Sequence, residues 1–138
     1  MPRRVVITGL GSVCALGVGM EALWSGLCTG RSNLRRLSFD PSGFPCRIAG
    51  EVPEPFSAKD FLPKHYRKAV KVMARDIELA VAAAKLAVED AGLITRGTSD
   101  DATDAQTTYR PERMGCQIGA GLIASDAEEM AAAMSTAR

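Results

Sequence analysis

KHYRKAVKVMARDIELAVAAAKLAVEDA, residues 64–91, contains neither glycine nor proline, and Gly92 follows it. Such a run predicts one long helix over 64–91, ended by a glycine that accepts the left-handed conformation of a helix stop. Between Ile77 and Val88, ten of twelve residues are apolar. At about 100° per residue, Lys71, Arg75, Glu78, Lys85 and Glu89 fall in one narrow stripe, and apolar residues take most of the remaining circumference. A helix that is apolar nearly all round is buried inside something. A domain of this size rarely surrounds one helix completely. The expectation is therefore a chain that belongs to a larger body.

Upstream, Val5-Val6-Ile7-Thr8 is β-branched and predicts a buried strand over residues 4–8. A glycine-rich turn follows over 9–19. A helix is expected from Met20 to Cys28, with Ala22, Leu23, Trp24 and Leu27 as its apolar positions and Gly30 as its stop. Residues 31–63, interrupted by Pro41, Gly43, Pro45, Pro53, Pro55 and Pro63, read as an irregular surface segment, with strand-like pieces at 47–49 and 50–52 that could pair. Residues 96–112 read as a second irregular, polar segment. Met114-Gly115-Cys116-Gln117-Ile118-Gly119-Ala120-Gly121-Leu122-Ile123 predicts a central strand and turn. Ser125 and Glu128 have the spacing of a capping box, so a last helix begins near Asp126 and runs to Arg138 without a stop signal. Strands alternating with helices place the chain in the α/β class, as one unit over 1–138.

Composition removes several functions. The 17 Lys and Arg against 16 Asp and Glu give a net charge of +1, which argues against a nucleic-acid binder working by global charge. With 5% aromatic residues there is little from which to build base-stacking platforms. The apolar fraction of 46% is too high for a disordered chain of this charge. Arg3 and Arg4 before an uncharged run imitate a signal peptide, yet Gly9, Gly11, Gly17 and Gly19 disfavour a helical core there. No stretch approaches the roughly 18 apolar residues that span a bilayer, and the expected compartment is the cytoplasm. The four cysteines, Cys14, Cys28, Cys46 and Cys116, show no CxxC spacing and no partnered His, so no metal site is expected. Their apolar neighbours suggest reduced, buried thiols.

Thr8-Gly9-Leu10-Gly11 after a strand invites a dinucleotide-binding reading, but position 14 is Cys where the third glycine should stand. The alternative is that these glycines let the backbone approach a neighbouring element closely. A cysteine nucleophile needs a base, and the single His, His65, stands among Lys64, Arg67 and Lys68 as a solvated residue would. No catalytic residue and no cofactor site is expected within the chain.

The larger pattern is more specific. Val5-Val6-Ile7-Thr8-Gly9-Leu10-Gly11-Ser12-Val13, Leu16-Gly17, Leu23-Trp24-Ser25-Gly26-Leu27 and Gly30-Arg31-Ser32 resemble the opening of β-ketoacyl-[acyl-carrier-protein] synthases of the elongating, synthase II-like type, in the thiolase superfamily. Ala82-Ala83-Ala84 with Glu89-Asp90-Ala91-Gly92-Leu93 is similar to that family's long helix, and Arg113-Met114-Gly115 with Ile118-Gly119-Ala120-Gly121 to the strand and turn after it. Departures are Ala15, where the family usually has Pro, and a longer loop around 96–110. The resemblance implies a thiolase-like layered α-β-α-β-α fold of which this chain is the N-terminal part. It implies a decarboxylative Claisen condensation of an acyl thioester with malonyl-carrier protein in fatty acid biosynthesis, by a homodimer. The nucleophilic Cys and the two His of that chemistry fall beyond position 138, and none of the four cysteines here takes the nucleophile's place.

Two roles carry over by resemblance. Leu122 matches the apolar residue that gates the acyl pocket, with a plain core leucine as the equal alternative. Lys64, Arg67 and Lys68 match basic residues that dock the acidic acyl carrier protein. Residues 61–74 hold four Lys or Arg and no acid, and positions 64, 67, 68 and 71 have the spacing of one α-helical face. The plain alternative is a solvated helix start. Rival readings are a non-catalytic, chain-length-factor-like partner subunit of a polyketide synthase pair, and a free-standing small binding protein.

Overall fold

The computed structural model describes residues 2–38, 40, 42, 43, 45–98, 103, 106–119 and 127–137. Its longest element is helix α2, Arg75–Asp90, against which the 3-10 helix Ala58–Phe61 and the strand Val13–Cys14 pack. Ahead of it lie a two-residue-loop hairpin, β1 (Val13–Cys14) and β2 (Gly17–Val18), and helix α1, Met20–Cys28. A second antiparallel pair joins β3, Arg35–Arg36, to β4, Ile48–Ala49. Short 3-10 helices span Ala58–Phe61, Lys64–Val72 and Pro111–Arg113, and α3 covers Ala127–Thr136.

Both glycine stops work as local chemistry requires. Gly30 and Gly92 take φ of 68° and 64°, the left-handed region. After α1, Gly30 N donates to Leu27 O and Arg31 N to Gly26 O; after α2, Gly92 N donates to Glu89 O and Leu93 N to Val88 O. This paired pattern satisfies the terminal carbonyls that a helix leaves without partners.

The long helix expected over 64–91 is two elements. Met73 and Ala74 are extended, with ψ of 131° and 159°, and they separate the 3-10 helix Lys64–Val72 from α2. The cause is tertiary. Arg75 Nη2 donates to Glu54 Oε1 at 2.7 Å, and Nη1 reaches Glu78 Oε2 at 3.2 Å and Phe56 O at 3.5 Å. Its guanidinium also lies 4.7 Å from the centre of the Phe56 ring. These contacts tie the start of α2 to the 54–56 turn, while buried Val70 anchors the segment before the break. Propensity alone would have allowed one continuous helix.

Residues 4–8 form no ladder with any described segment. Val5 is 90% exposed and Ile7 81%. The adjoining glycines instead press onto α2: a Cβ on Gly9 would meet Ala87 O and stand 2.6 Å from Ala91 N, and one on Gly11 would meet Ala83 O and stand 2.5 Å from Ala87 N. Between them, Leu10 N donates to Asp90 Oδ2 at 2.9 Å. The glycine pair is thus a close-packing device, with Ala83 and Ala87 set against backbone. Residues 114–119 likewise carry no ladder, and residues 120–126 lie outside the described set. The pairing expected between 47–49 and 50–52 is replaced by β3 with β4, because abutting segments leave no residues for a turn. Nor are the cysteines buried: Cys28, Cys46 and Cys116 are exposed and Cys14 half-buried. Their apolar neighbours Leu27, Ile48 and Ile118 are exposed with them.

The core is small. Phe56, Ala58, Val70 and Ala82 are its buried hydrophobic residues among those described, and most of α2 is only half-buried. The chain exposes 11021 Å². A compact monomer of 14.6 kDa would expose about 6,900 Å².

Candidate functional site

The basic segment begins where Pro63 ends the preceding turn. Ser57 caps that turn by accepting from Lys59 N at 3.3 Å, and Tyr66 N donates to Pro63 O at 3.0 Å to start the next helix. Lys64, His65, Tyr66, Arg67, Lys68 and Lys71 are all exposed. The Arg67 Nε donates to Leu62 O at 3.1 Å, so part of this guanidinium serves the local fold. The rings of His65 and Tyr66 stand 4.1 Å apart.

The 3-10 geometry redistributes these groups. In such a helix residues three apart eclipse one another. Lys64 and Arg67 therefore share a row with Val70, which is 6% exposed and turns inward. Lys68 and Lys71 share a row with His65, and Tyr66, Ala69 and Val72 form a third row. The single face expected for positions 64, 67, 68 and 71 is split between two rows. Among the described residues, neither Lys68 nor Lys71 stands in an ion pair. Those two cations add positive charge to the exposed face of this turn.

The structure also forms a charged cleft that the sequence did not reveal, about 740 Å³ in volume and lined by Arg35, Arg36, Ser38, Glu51, Glu54 and Arg75 among others. No spacing in the sequence announces it, since its walls come from β3 and Ser38, from residues between 50 and 54, and from the start of α2. Ser38 donates to Glu51 Oε1 through its hydroxyl at 2.7 Å and its amide at 3.2 Å. Those two hydrogen bonds, and more weakly the charge of Arg35, hold the Glu51 carboxyl below its ordinary value despite some desolvation. Arg35 Nε is 3.6 Å from Glu51 Oε2, and Arg75 is paired with Glu54 and Glu78. Here charge is largely compensated, unlike at Lys68 and Lys71. Leu122, expected at an acyl pocket, lies outside the described residues.

Short strands and helices, one long half-buried helix and a turn rich in cations ahead of it define an α/β unit. Its structure is similar to the ishigamide ketosynthase/chain length factor, with a TM-score of 0.57 and 40% identity over 68% of this chain and 23% of that one. The family model of the β-ketoacyl synthase N-terminal domain matches residues 2–137. The chain belongs to that family.

In sequence it is 38% identical over 100 residues to 3-oxoacyl-[acyl-carrier-protein] synthase 2 of Synechocystis sp., covering 72% of this chain and 23% of the relative. It is 36% identical over 130 residues to the granaticin polyketide putative beta-ketoacyl synthase 1 of Streptomyces violaceoruber, covering 94% and 27%. The chain thus spans about a quarter of the length of the relatives it matches.

Proposed function

We propose that the chain is the N-terminal part of a 3-oxoacyl-[acyl-carrier-protein] synthase of fatty acid biosynthesis, a cytoplasmic homodimer with the layered thiolase-like fold. In this reading an acyl group is held as a thioester on a cysteine outside the chain. Malonyl-carrier protein then loses CO2, and the resulting carbanion attacks the acyl carbonyl and releases the cysteine thiolate. The chain contributes frame and recognition: the Gly9–Gly11 contact seats the N-terminal segment on α2, the basic turn attracts the acidic carrier protein, and Leu122 gates the acyl pocket. The observation that carries the reading is the family match over residues 2–137. The excess exposed area supports it, since a frame for a larger body leaves apolar surface to be covered.

The similarity to a ketosynthase/chain length factor structure favours one second reading, a non-catalytic partner subunit of a polyketide synthase pair. One experiment addresses both. The protein as isolated is incubated with a radiolabelled acyl thioester, denatured and analysed for covalent label, then supplied with malonyl-carrier protein. Label on the polypeptide containing this sequence, followed by β-ketoacyl product, fits the synthase. Label on a separate partner polypeptide fits the partner subunit, and no label on either sinks both. The 138-residue chain by itself should give no product above blank, because no Cys–His–His set stands within it.

A further inference from the structure

We draw no further inference here: the strongest candidate, the charged cleft walled by β3, Ser38, residues between 50 and 54 and the start of α2, carries nothing because Arg35 and Arg75 are paired with carboxylates of the chain itself, and nothing in the structure shows what covers the cleft in a chain spanning about a quarter of its relatives' length.

Discussion

Gly11→Ala is the sharpest probe of how this chain is held together. The added methyl would stand 2.5 Å from Ala87 N and meet Ala83 O as well. Ordinary contact begins near 3.5 Å, so either residues 9–11 or α2 must move by about 1 Å. Overpacking against backbone costs about 1–3 kcal/mol. A shift of that size also stretches the 2.9 Å bond from Leu10 N to Asp90 Oδ2 beyond useful length, adding about 1 kcal/mol. Alanine restricts the unfolded chain and offsets about 0.4–1 kcal/mol. The net loss is about 1–3.5 kcal/mol. At about 2.1 cal/mol/K per residue over 138 residues, each kcal/mol moves the midpoint by about 3.5 °C, so Tm should fall by about 3.5–12 °C. Thermal unfolding followed by circular dichroism at 222 nm reads this directly. Gly115→Ala is the control, because a Cβ there meets nothing within 4 Å, and its change should stay within about 0.5 kcal/mol. Equal midpoints for Gly11→Ala and the parent would show that the N-terminal segment does not rest on α2.

Arg75→Ala should lower stability by about 1–2 kcal/mol in a urea titration, since it removes ion pairs to Glu54 and Glu78 together with the stacking on Phe56; an unchanged midpoint would mean that these half-exposed pairs contribute nothing. Glu51 gives a pH signature. Its folded pKa is lowered from 4.5, so its contribution is complete above that value and is lost as pH falls through the lower folded pKa. Relative to Glu51→Gln, the parent's urea midpoint should therefore decline on the acid side of about pH 4.5; parallel profiles would contradict the Ser38 hydrogen bonds as the cause.

What lay open in the sequence was mostly local. The bounds of α1 and the end of α2 followed from Gly30 and Gly92, because a glycine stop needs only neighbouring carbonyls and a left-handed residue. Family membership was equally legible, since the motifs from Val5 to Gly121 keep their order and spacing. The candidate site was half legible: Lys64, Arg67 and Lys68 stood out as a run of cations without acids. Their arrangement did not, because a 3.6-residue period and a three-residue period sort the same letters into different faces.

Tertiary structure decided that period. The Arg75 contacts with Glu54 and Phe56 fixed where α2 begins, and buried Val70 fixed which side of the preceding turn faces inward. It also decided that Gly9 and Gly11 press closely onto α2, a contact the spacing alone did not place. Residues 4–8 and 114–119 have strand-like composition, yet pairing belongs to a ladder and not to a segment, and no described partner lies beside either. Composition sets what a segment can become; its neighbours in space supply the hydrogen bonds and the cover that decide what it is.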